Sequence, residues 1–264
     1  MSALAYPFMQ RAFIAGICLA LVSSYLGVFV VQRRLAFLGS GLSHAAFGGV
    51  ALGIFLNIEP LWVAVPFTVL VALAIQWLRD HTGLAGDTVV GILFSLSMAL
   101  GIVLLSFTAT YSGDAFRYLF GSILAVTHTD ILWGVALLIA LGAAFPLWYR
   151  WTYATFDPIL ARAEGLPVKR DDYCLTLALA VTIVVAMKVV GMVLVSAFLV
   201  LPAATARIIS RTFAQMTIWS LVFGVVSLSV GLWVSFYGDL PSGPTIILVQ
   251  SALFFVLLPF QKSI

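Results

Sequence analysis

The stretch RRLAFLGSGLSHAAFGGVALG, residues 33–53, sets a pair of arginines against an apolar run that holds one ionisable side chain, His44. Basic residues collect where a chain leaves the bilayer on its cytoplasmic side. The run that begins near residue 41 continues to about 57 without an Asp, Glu, Lys or Arg, and its length approaches the ~20 residues that cross a hydrocarbon core as a helix. Ala45, Gly49 and Gly53 recur every four residues and form a small-residue stripe on which another helix can approach closely. His44 borders that stripe, and Ser40 lies one turn earlier on the same face. The histidine is therefore expected to face protein rather than lipid. It has two readings: a hydrogen bond across a helix interface, or contact with a metal ion on a permeation path, since neutral imidazole suits zinc and other first-row metals.

The rest of the chain has the same character. Its 264 residues are 63% hydrophobic and 9% charged, with a mean hydropathy of +1.16, whereas a soluble domain carries about 25% charged residues. That excludes a water-soluble globular protein and predicts an all-α polytopic membrane protein, a single transmembrane domain over 1–264. Its spans must be helical, because a lipid-exposed backbone has to satisfy its own hydrogen bonds. Apolar runs fall at about 12–31, 41–57, 60–78, 88–108, 129–149, 173–190, 190–206, 215–236 and 243–260, about eight or nine transmembrane helices. Lys188 and Gly191 interrupt the sixth and seventh, which read as one broken element or two short spans.

Charge sets the orientation. Arg33, Arg34, Arg79, Arg150, Arg162, Lys169, Arg170, Arg207, Arg211 and Lys262, ten of the thirteen basic residues, fall in loops on one side, which the positive-inside rule makes cytoplasmic. The N-terminus then lies outside, and its segment MSALAYPFMQR lacks the basic-then-apolar order of a cleaved signal. The net charge of +3 gives no argument for nucleic acid, and Cys18 and Cys174 show no metal or disulfide spacing.

Two stretches do not read as spans. Residues 111–130 are amphipathic and outward-facing. Residues 151–172 form a cytoplasmic loop in which Asp157-Pro158 reads as a helix start and Gly165 with Pro167 as its stop. Among the acids, Asp114, Asp130, Glu59 and Asp239 lie toward the outer ends of spans. Asp114 reads as a helix cap and Asp239 as a turn residue, or both as part of an outer acidic funnel for a cation. Asp87 reads as a cytoplasmic helix cap, and His81 and His128 as loop-exposed. Lys188 either snorkels to the outer interface or pairs with an outer carboxylate. No GxxxxGK[ST], HExxH or GxSxG occurs, so any nucleotide site belongs to another chain.

Five stretches in order carry a resemblance that covers nearly the whole chain: residues 33–53, DTVVGILFSLSMALGIVLL at 87–105, YLFGSILAVT at 118–127, AMKVVGMVLVSAFLVLPAATAR at 186–207 and DLPSGPTIILV at 239–249. Together they resemble the ABC-3 family of metal permeases from bacterial zinc and manganese ABC importers, nearest its zinc-uptake, ZnuB-type, branch. The resemblance implies a type II ABC importer-like permease, without an ATPase site or cofactor of its own, that moves zinc ions across the bacterial inner membrane. Its implied partners are a cytoplasmic ABC ATPase subunit, a periplasmic zinc-binding protein, a second permease copy in a homodimer, and lipid. It implies a metal contact at His44, with Asp114 and Asp239 as sources of further negative charge. It also implies a coupling helix at about 155–170, with Asp157, Ala161, Ala163, Glu164, Gly165 and Leu166 meeting the ATPase and Arg207 and Arg211 flanking a second contact.

One position departs from the pattern. The family carries Asp four residues before its histidine, and here that place is Ser40, a poorer zinc ligand than a carboxylate, expected behind the imidazole rather than on the ion. Manganese or iron import is the alternative within the family. A secondary metal transporter would need carboxylates near mid-membrane, and here the acids cluster at span ends. An intramembrane enzyme would have only His44 with Ser40 and Ser43, which lack an orienting carboxylate.

Overall fold

The structure, a computed structural model, describes residues 6–108, 121 and 126–261. Asp114, Arg117, Lys262 and most of the amphipathic stretch 111–130 lie outside the described residues. The elements are α1 Pro7–Gln32, α2 Ala36–Phe55, α3 Pro60–His81, α4 Gly86–Ser106, α5 His128–Ala143, α6 Leu147–Phe156, α7 Pro158–Ala163, α8 Val168–Val190, α9 Met192–Ile209, α10 Phe213–Gly238 and α11 Ser242–Leu257, with a closing turn of 3-10 helix, Leu258–Phe260. Among the described residues eight helices are long and apolar enough to cross a membrane, and nine spans result if α5 and α6 count as one.

Local sequence chemistry explains most of the ends. Pro7, Pro60 and Pro158 sit in the first turns of α1, α3 and α7, where the missing N–H has no helical partner to lose. Thr127 and Asp130 form a reciprocal capping box at the start of α5. The interrupted sixth and seventh apolar runs are two helices: α8 stops at Gly191, whose φ of 81° admits only a residue without a Cβ at low cost, and α9 restarts at Met192. The run at 129–149 is not one straight span. Pro146 donates no hydrogen bond, the chain turns there, and α6 leaves α5 at 73°. Asp87 lies inside the first turn of α4 rather than capping it, since Ala85 is the N-cap residue.

α1 is buried along most of its length and packs on α9, α10 and α5. α2 is held between α3 and α4. At Gly49 an added Cβ would come within 2.7 Å of the Cα of Ala64, and at Gly53 within 2.7 Å of the Cα of Pro60. The small-residue stripe of α2 thus meets the backbone of α3 directly. α4 and α11 are the least buried spans and present apolar side chains such as Ile92, Leu96, Leu248 and Phe255 outward.

The polar contacts gather at two ends. At the basic end, the turn between α1 and α2 meets α6 and the start of α8. At the other end, Lys188 Nζ lies 3.4 Å from Glu59 Oε1 and 3.3 Å from Asp130 Oδ1. Lys188 therefore pairs with outer carboxylates instead of reaching alone for water.

Candidate functional site: an intramembrane histidine and a cytoplasmic docking helix

His44 sits eight residues into α2, about 12 Å along the axis at 1.5 Å per residue. Its Nδ1 is 2.8 Å from the backbone oxygen of Ser40. A carbonyl oxygen can only accept, so Nδ1 carries the proton of this bond, and in the neutral ring the lone pair is then on Nε2. A ring held through one nitrogen by a backbone carbonyl presents the other as a metal ligand. The edge of the imidazole also meets Phe94 of α4, with centroids 5.4 Å apart at 86°, which fixes its plane. Ser43 turns inward and donates to the carbonyls of Gly39 and Ser40, at 3.0 and 2.9 Å. It is therefore the backbone of residue 40, reached from two side chains, that orients the histidine. His44 is half-buried, and Nε2 makes no hydrogen bond among the described residues.

Of the acids proposed to accompany it, the described residues include Asp239. Asp239 ends α10 in a left-handed conformation with φ 50° and is exposed at the outer end. Asp114 lies outside the described residues. Among the described residues no three His, Cys, Asp or Glu side chains come together as a metal-binding group. What the geometry brings together is one oriented imidazole.

The second site is α7. Asp157 Oδ1 accepts from the N–H of Leu160 at 2.8 Å, a cap at the helix start. Gly165, at φ 81°, closes the other end, with its N–H donating to Arg162 O and that of Leu166 to Ala161 O, both at 3.0 Å. Ala161 is buried with Ala154 and Val168, and Leu166 packs beside them. That side anchors the helix. Ala163 and Glu164 are exposed, and so is Ile159, at 79% of its surface, next to Phe156 and Leu160. An apolar knob on a non-spanning turn is unsuited to water and suited to a protein groove. Arg207 lies in the last turn of α9 and Arg211 in the next turn, both exposed.

Ion pairs that the sequence did not reveal hold this end together. Arg150 clamps Asp171 with two bonds, Nε to Oδ2 at 3.2 Å and Nη2 to Oδ1 at 2.7 Å. Arg33 donates from Nε to Thr155 Oγ1 at 2.8 Å, from Nη2 to Trp151 O at 3.3 Å, and from Nη1 to the Asp172 carboxylate. The one available signal was the presence of the acidic pair Asp171-Asp172 on the same, basic side as Arg33-Arg34.

Comparison with known proteins agrees with this architecture. Residues 5–261 match the ABC 3 transport family. The chain is 37% identical over 259 residues to the high-affinity zinc uptake system membrane protein ZnuB of Haemophilus influenzae, covering 98% of this chain and 99% of that one. It is 35% identical to the manganese transport system membrane protein MntC of Listeria monocytogenes, covering 98% and 92%. Among solved structures, PsaBC from Streptococcus pneumoniae in complex with Fab superposes with a TM-score of 0.85 at 32% identity, covering 96% of this chain and 92% of that one.

Proposed function

Because the chain belongs to the ABC 3 transport family and is a multi-pass inner-membrane permease for metal, we propose that its cargo is the zinc ion, carried past His44 by two copies of the chain. The observation that carries this reading is the imidazole whose Nδ1 is tied to the Ser40 carbonyl at 2.8 Å, leaving Nε2 for a first-row divalent cation. A single strong ligand with water completing the shell suits a site that must release its ion as well as bind it. A separate ATPase docks on α7, whose exposed Ile159 and Leu160, with Phe156 at the end of α6, enter a groove on that subunit, with Arg207 and Arg211 beside it. A periplasmic zinc-binding protein delivers the ion to the outer face. Asp239, exposed there, and Asp114 raise the local concentration of cations. The open apolar faces of α4 and α11 meet the second copy and lipid.

The test is metal content by elemental mass spectrometry, in metal-starved cells lacking their own high-affinity uptake. They would express the chain with its ATPase and binding protein. Zinc is expected to rise with the native chain and to fall back with His44→Ala at equal expression. A rise in manganese instead, which the likeness to the Listeria manganese protein makes the second reading, overturns zinc and keeps the permease. Normal transport by His44→Ala overturns the imidazole site.

A further inference from the structure

We propose that Arg33 is the positioning residue through which movement of the docking helix α7 reaches the His44 helix, so that metal transport is tied to ATP turnover by way of its guanidinium. The inference rests on the reading of the chain as a permease driven by a separate ATPase, and it adds the route of the force.

Arg33 is the C-cap residue of α1, immediately before Arg34, whose φ of 57° turns the chain into α2. Its side chain is only 14% exposed, and each of its guanidinium nitrogens has a partner. Two of these partners, Thr155 Oγ1 and Trp151 O, belong to α6; the third, Asp172, belongs to α8. α6 and α8 are the elements that flank α7. They are closed on each other by the Arg150–Asp171 clamp, and α7 is seated between them by its Asp157 cap and by Ala161 against Ala154 and Val168. A push on α7 therefore moves α6, α7 and the start of α8 as one piece.

That piece meets the α1–α2 turn through two kinds of contact. Trp151 packs edge-on against Phe29 of α1, with centroids 5.7 Å apart. Apolar packing of this kind is non-directional and tolerates sliding. The guanidinium is directional: a planar fork of fixed donors bonded to two elements at once sets their register against the turn. A lysine would supply a compact point charge on a flexible stem, without the planar fork that sets the register of the two elements. Beyond the turn, α2 has little room to absorb displacement, because Gly49 and Gly53 lie against the backbone of α3. Motion at its cytoplasmic end is passed toward His44 rather than dissipated.

The experiment uses the whole complex, permease with ATPase and binding protein, in proteoliposomes, with zinc(II) as the cargo and manganese(II) in parallel. The quantity read is metal moved per ATP hydrolysed, for the native chain, Arg33→Lys and Thr155→Val. Arg33→Lys is expected to lower that ratio about tenfold and Thr155→Val about two- to threefold, within the range of coupling changes known for such networks, while basal ATP hydrolysis and ATPase co-purification stay native. A purely structural role would reduce assembled complex, and with it uptake and hydrolysis together, leaving the ratio unchanged. A native ratio in both variants overturns the proposal. If Arg33→Lys fails to assemble, Thr155→Val, which keeps the Asp172 pair, decides alone. A native complex that hydrolyses ATP and moves neither metal overturns the permease reading instead, a separate result.

Discussion

At residue 40 a single substitution bears on how tightly the ion is held. Its carbonyl orients His44 whatever side chain it carries, so Ser40→Asp keeps the imidazole in place and adds a carboxylate on the same helix face. Zinc uptake by that variant is expected to half-saturate at about tenfold lower metal, since an added anionic oxygen strengthens a divalent site, and to reach a lower maximal rate because release slows. Initial-rate uptake against metal concentration checks both. A second residue-scale prediction concerns Lys188. Asp130 is 7% exposed, and among the described residues its Oδ1 has no hydrogen-bond donor beyond the ammonium 3.3 Å away. Removing one partner of a buried pair costs roughly 3–5 kcal/mol, and the partial exposure of Lys188 reduces this to about 2 kcal/mol. Lys188→Met should lower the thermal midpoint in detergent, and Lys188→Met with Asp130→Asn should recover much of it.

Among the elements, α7 offers the clearest separation of fold from docking. Ile159→Asp changes only the exposed side of a helix anchored by its other side. It is expected to leave expression and thermal stability native while abolishing co-purification of the ATPase. Asp157→Ala removes the cap and costs about 1 kcal/mol locally, weakening ATPase binding without abolishing it; a pull-down at graded salt and detergent resolves the two. The elements also show where reading the sequence succeeded. Asp157-Pro158 and Gly165 marked both ends of α7 because caps and left-handed turns are written in single residue types. The bend between α5 and α6 was hidden, because the apolar run continues across Pro146 and hydropathy does not register a change of direction.

Over the whole molecule, composition was enough for a helical membrane protein, and five ordered motifs for its family. The candidate site was only half legible. His44 stood out because an ionisable group in an apolar run is costly. What orients it is a backbone carbonyl, which has no residue letter. The pairing of Lys188 with an outer carboxylate was one of two readings open in the sequence. The ion pairs at the basic end were illegible for another reason: Arg33 and Asp172 are 139 positions apart, and a charge does not name its partner. A variant set follows at this scale. Exchanging Arg150 and Asp171 in a reciprocal double variant should restore assembly that each single change reduces, measured as yield of intact complex.

The backbone contact between α2 and α3 has a consequence at the level of the gene. Every single-base change in a glycine codon that alters the residue, stop codons apart, installs a Cβ or more. At Gly49 and Gly53 that atom would meet Ala64 or Pro60 backbone at 2.7 Å. Other buried positions have conservative neighbours one base away, as Ile or Val do. These two codons have none. Under selection for growth on scarce metal, a saturation library should return only synonymous changes there, placing two featureless residues of the His44 helix among the least replaceable in the chain.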